Sequence, residues 1–187
     1  MISKDRYNCV AVVLHWLIGI GVIGMLLSGL VLAYAPLERD LKIELFGVHK
    51  ATGLLILFAV GLRILWRGFS EATKQVPALP LTIPKREAIA AKIGHILLYI
   101  TMFAMPFSGW MLVSTSARSN FTEIFGLFNW PDIPGVQGNE FLHEMAENAH
   151  TVIAIILAIL IVGHVAAVVK HIIVEKENLL PRMWFGK

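Results

Sequence analysis

The run from Asn148 to His171, NAHTVIAIILAILIVGHVAAVVKH, constrains the chain most: a long apolar segment interrupted by His150 and His164. The two histidines stand fourteen positions apart. At about 100° per residue that is close to four helical turns, so one helix carries both imidazoles on one face. At about 1.5 Å per residue they lie roughly 21 Å apart along the axis, most of a ~30 Å hydrocarbon layer. One helix therefore offers an ionisable ring at two depths, and ionisable residues inside membrane spans are costly and usually functional.

Of 187 residues, 57% are hydrophobic and 16% charged, too apolar for a soluble domain of this size. Four apolar stretches account for most of the chain, at about 9–35, 46–66, 93–114 and 148–169, each long enough to span. We expect an all-α fold: a transmembrane four-helix bundle forming one domain over residues 1–187. The first stretch is far longer than a signal-peptide core and is read as a retained span. Cys9 is the only cysteine, which excludes an intramolecular disulfide and a C-x-x-C-H attachment site.

Basic residues gather on one side: Lys4, Arg6, Arg67, Lys74, Lys85, Arg86, Lys92 and those of the 170–187 tail. The opposite loops hold Arg39, Lys42, Lys50 and Arg118 among many acids. The positive-inside rule then puts both termini and the 67–92 loop in the cytoplasm. These charges flank spans and form no separate patch, which argues against nucleic-acid binding.

Gly19, Gly21 and Gly24 spell G-x-G-x-x-G, but no strand precedes them, so a dinucleotide fold is rejected. Together with Ser28 and Gly29 they let a helix or a flat macrocycle approach the backbone closely. Pro84 followed by Lys85–Glu87 marks a helix start, and Asn139 caps the helix leading into the fourth span. Between them FTEIFGLFNW is expected to lie on the outer leaflet as an interfacial segment.

Alternating topology assigns depths. His15 and His164 fall at the inner level, His49 and His150 at the outer level, and His95 is a third inner candidate. Histidines facing each other at one depth can hold haem iron from both sides, so two levels imply two haem b groups. The inner pairing, His164 with His15 or with His95, stays open on depth alone.

Three motifs extend this. LHW opens the first span, G-x-H-K-x-x-G (Gly47, His49, Lys50, Gly53) opens the second, and A-H-x(13)-H (Ala149, His150, His164) lies in the fourth. With them the sequence resembles the bacterial di-haem cytochrome b561 family, related to the membrane cytochrome b subunits of formate dehydrogenases and nickel hydrogenases. The resemblance covers nearly the whole chain and implies His15, His49, His150 and His164 as axial haem ligands. Within that group it is to stand-alone bacterial inner-membrane members that oxidise superoxide and reduce ubiquinone. It implies superoxide and ubiquinone as partners; composition gives the bilayer, and the short loops leave little docking area, so no obligatory protein partner is expected.

Lys50 and Arg118, with Lys42, are the candidates for steering superoxide into an otherwise acidic outer face, pairing with haem propionates being the plainer role. His95 is the inner candidate for a quinone carbonyl, with Lys74 and His171 weaker by position. His143 and Glu147 share a helical face, but two ligands fall short of a metal site. One competing function is a haem subunit linking quinone to a soluble dehydrogenase or hydrogenase, which needs a docking patch within 115–139. A histidine-lined metal transporter is disfavoured because the residues between His150 and His164 are almost entirely aliphatic.

Overall fold

The computed structural model describes residues 6–78, 80, 82–117 and 121–185. Four long helices run in order: α1 Cys9–Tyr34, α2 Arg39–Ala72, α3 Lys85–Ser114 and α4 Glu140–Ile173. Each of them is long and apolar enough to cross a membrane. They reach beyond the apolar stretches, because polar first turns such as Arg39–Glu44 and Glu140–Glu147 continue the helices into the aqueous boundary.

Local chemistry sets several ends. The Asn8 side chain accepts from the Ala11 N–H at 2.9 Å to cap α1, and Asn139 accepts from Leu142 N–H at 3.0 Å to cap α4. Pro84 immediately precedes α3, where its missing N–H has no consequence. Consecutive helices pack against each other, α1 on α2, α2 on α3 and α3 on α4.

The outward faces of these helices stay apolar, with Leu17, Ile20, Leu65, Ile159 and Val162 all exposed. An exposed apolar belt on four long helices is the pattern a lipid solvent demands. The buried core is small by comparison. Leu14, Ile18 and Val22 of α1 meet Ile56 and Val60 of α2 and Leu157 of α4, with Met102 and Met105 of α3 packed alongside. Leu157 lies midway between His150 and His164 and is 1% exposed, so the interval between the two histidine levels is filled by aliphatic side chains.

The outer connection departs from expectation. The segment expected to lie flat as an interfacial piece forms a β-hairpin, β1 Phe121–Ile124 antiparallel to β2 Phe128–Pro131. The chain reverses at Phe125 and Gly126, both at positive φ, a geometry that matches strand twist. Alternation then turns Thr122 and Ile124 inward. Ile124 joins Ala51 and Leu54 of α2, and Trp130 meets Trp110 and Phe58 edge-on at ring distances of 5.7 and 5.2 Å. The hairpin is thus folded against the bundle, not laid beside it. At the other end a 3-10 turn, Leu180–Met183, returns to α1, where Trp16 Nε1 donates to the Met183 carbonyl at 2.7 Å.

Candidate functional site

His49 of α2 and His150 of α4 line one cavity of about 540 Å³ near the end of the bundle that carries the hairpin. Its walls are largely apolar, with Met25, Leu26, Met102 and Leu157 among them, and Lys42 and Lys50 complete the lining. That volume and character suit a large flat organic cofactor. Two glycines make room for the imidazoles. A Cβ on Gly29 would stand 3.5 Å from His49 Cε1, and one on Gly109 would stand 3.0 Å from His150 Cε1.

The orientation of both rings follows from counting protons. A serine hydroxyl has one. The Ser28 hydroxyl donates it to the Met25 carbonyl at 3.0 Å, so toward His49 Nδ1, 2.8 Å away, the oxygen is left to accept. Ser108 repeats the arrangement: it donates to the Met105 carbonyl at 2.8 Å and faces His150 Nδ1 at 3.0 Å. Each Nδ1 therefore carries the hydrogen and each Nε2 keeps its lone pair, the tautomer required of a neutral imidazole that ligates a metal through Nε2. The donor set, the cavity and the glycine clearance together fit haem at this level.

At the opposite end three histidines meet. The His15 and His164 ring centres are 6.2 Å apart at 67°, and His95 stands 5.5 Å from His164 at 63°. Imidazoles bound to both sides of one metal through bonds of about 2 Å stand roughly 6 Å apart centre to centre, so His164 has two neighbours at ligand-pair distance. Arg63 adjoins them, with an Nη 3.3 Å from His15 Nδ1. A polar cavity beside Arg63, bordered by Asn8, Trp66 and Tyr99, measures only about 20 Å³, about the room one water needs. None of the three histidines lines this small cavity; as a donor set, His164 with His15 or His95 fits haem iron.

The remaining sequence candidates divide. Lys50 lies at the outer cavity with its Nζ 5.2 Å from the Phe46 ring centre, and Lys42 lines the same cavity. Arg118 falls outside the described residues. Lys74 follows the end of α2 in a left-handed conformation and is exposed. His171 is engaged elsewhere: its Nδ1 is 2.6 Å from Glu175 Oε2 and its Nε2 3.7 Å from Glu87 Oε2. His143 turns its Nδ1 to Thr115 Oγ1 at 3.0 Å, joining the outer ends of α3 and α4.

Ser28 and Ser108 went unrecognised as histidine partners in the sequence, since each pairs with a histidine on another helix. The contact of Arg63 with His15 also lies outside any local motif. Among the described residues one trio has metal-capable atoms close together, Glu87, His171 and Glu175. The Lys170 ammonium bonds both carboxylates, at 2.8 and 2.7 Å, so that cluster already carries its own cation.

Over residues 6–186 the chain matches the family described as prokaryotic cytochrome b561. It is 27% identical over 183 residues to cytochrome b561 homolog 2 of Escherichia coli (strain K12), covering 97% of this chain and 92% of that protein. To cytochrome b561 homolog 1 of the same organism it is 26% identical over 183 residues, covering 96% and 97%.

Proposed function

The chain belongs to the prokaryotic cytochrome b561 family of multi-pass membrane proteins that transfer electrons through b-type haem, and on that premise we propose that it takes electrons from superoxide at the outer face and delivers them to ubiquinone at the inner face. The overall reaction is two superoxide, one ubiquinone and two protons giving two dioxygen and one ubiquinol. In this reading His49 and His150 hold an outer haem, His15 and His164 hold an inner one, and both termini are cytoplasmic, as the basic side of the bundle favours.

Haem held by these imidazoles would supply one-electron exchange. The chain's own residues do the rest. Ser28 and Ser108 fix the outer rings and their tautomers. Lys42 and Lys50 give positive charge to a cavity that an anion must approach. Leu157, Ile18 and Val60 exclude water and ions between the levels, which suits electron passage and opposes ion passage. His95 stands beside His164, where it would hydrogen-bond a quinone carbonyl and hand over a proton. His95→Phe should then keep both haems and lose quinone reduction.

The observation that carries the reading is the pair of metal-ready histidines on one apolar cavity that also presents two lysines. The donor follows from the resemblance to stand-alone members. The test is a stopped-flow pulse of superoxide on the purified protein, with and without a ubiquinone analogue. Reduction of two low-spin b-type haems followed by reoxidation by quinone is the expected result; haems that stay oxidised would refute superoxide as donor.

One observation favours the second reading, a haem subunit serving a soluble dehydrogenase or hydrogenase. The hairpin exposes Phe121, Phe125, Leu127 and Phe128, with Leu127 80% exposed, an apolar patch of the kind a docking partner covers. A purified chain inert to superoxide but reducible by such a partner would decide for it.

A further inference from the structure

Arg63 occupies the inner half of α2, half-buried and three residues before Trp66. One Nη donates to the Ala11 carbonyl at 3.0 Å and the other approaches His15 Nδ1 at 3.3 Å, while the guanidinium carbon lies 5.9 Å from the Tyr99 ring centre. Among the described residues no carboxylate pairs with it. Arg67, one turn further on, contrasts with it, for Glu71 meets it at 2.8 Å.

A guanidinium is a donor only. Toward Arg63, His15 Nδ1 must therefore accept, and the hydrogen of the neutral ring moves to Nε2. Both nitrogen lone pairs are then committed, so His15 in this arrangement is not a metal ligand. This is the reverse of His49 and His150, whose serines leave Nε2 free. A half-buried cation at membrane depth without a counter-ion is also costly, and an anion that reaches it is held strongly.

We infer that Arg63 is a partner-switching residue of the inner level, exchanging His15 for a carboxylate side chain of the incoming haem and thereafter acting on that haem through its fixed positive charge. The inference rests on the assignment of His15 and His164 to an inner haem. Release of Arg63 returns the Nδ1 hydrogen to His15 and frees Nε2 for iron. Once in place, the guanidinium charge favours the reduced form of the inner centre, because net charge and hydrogen bonding tune haem potentials. Arg63 is thus a positioning residue that draws electrons from the outer level toward the inner one.

The test uses the haem-loaded, full-length protein and two variants, Arg63→Gln and Arg63→Lys, with haem stoichiometry and a spectroelectrochemical titration as readouts. The inner wave is identified by its loss in His164→Ala or, where that chain does not accumulate, by its retention in His150→Ala. For Arg63→Gln the expected result is one of two. Either the inner haem is lost and the outer kept, or the oxidised-to-reduced ratio of the inner centre rises about tenfold at fixed potential, a fall of about 59 mV for one electron. Arg63→Lys should restore two haems and most of the potential.

Two haems with both waves unmoved in Arg63→Gln would overturn the inference. So would equal movement of both waves, or a failure to accumulate that Arg63→Lys shares, since each describes a merely structural arginine. Neither readout uses superoxide, so a protein inert to superoxide refutes the donor and leaves this inference standing.

Discussion

The outer and inner histidine levels are built from the same residue type on the same scaffold, yet they are prepared to different degrees. At the outer level a cavity of about 540 Å³ stands open and two serines fix the ligating tautomer of His49 and His150. At the inner level His15, His95 and His164 close on one another and an arginine occupies the His15 lone pair. Preorganisation belongs to the level of His49 and His150. Two histidine clusters thus diverge through what the Nδ1 touches, a hydroxyl that accepts or a guanidinium that donates.

The comparison breaks most visibly at Gly109. A Cβ there meets His150 Cε1 at 3.0 Å, so the larger Gly109→Val should displace the ring and reduce bound haem from two to one, read by haem-to-protein ratio, while Gly94→Ala, with nothing within 4 Å, should keep both. Leu157→Ala tests what the levels share. It truncates a 1% exposed side chain between them, which also walls the His49/His150 cavity, and should cost about 2–5 kcal/mol in stability, measured by denaturant unfolding in detergent. Unfolding unchanged from wild type would contradict a shared core.

Ser108→Ala sharpens the contrast from the other side. Without the hydroxyl, His150 loses the partner that fixes its Nδ1 hydrogen, and outer haem affinity should fall roughly 10–100-fold while the inner haem stays in place. The smallest effect is expected just past α4, at a residue that lines neither cavity. The hydrogen bond from Lys170, aided by His171, holds the Glu175 carboxyl below its ordinary 4.5. A lowered folded pKa gives a contribution that is present above the ordinary value and lost as pH falls through the folded one. The melting-temperature gap between wild type and Glu175→Gln should therefore close on acidification, with neither haem level disturbed.

The spans were legible because apolar runs of membrane length have no other economical reading, and the helices differ from them only by polar turns such as Glu140–Glu147 at their ends. The depths of His15, His49, His150 and His164 followed from helical geometry and alternation. The hairpin was not legible: its turn pairs Phe125 with Gly126, and a phenylalanine at positive φ sends no local signal, so the aromatic run reads as interfacial. Nor were Ser28 and Ser108 legible as histidine partners. Ser28 marks a close approach in the sequence, but its bond to His49 reaches across to another helix. The choice between His15 and His95 also survives inspection, because both rings lie near His164.

That choice makes haem stoichiometry, with low-spin electron paramagnetic resonance, the most direct test, applied to wild type, His150→Ala, His15→Ala and His95→Ala. Wild type should carry two haems, His150→Ala and His15→Ala one each, and His95→Ala two. A wild-type protein with a single haem, or a His15→Ala chain that keeps two while His95→Ala keeps one, would contradict the two-level arrangement as assigned.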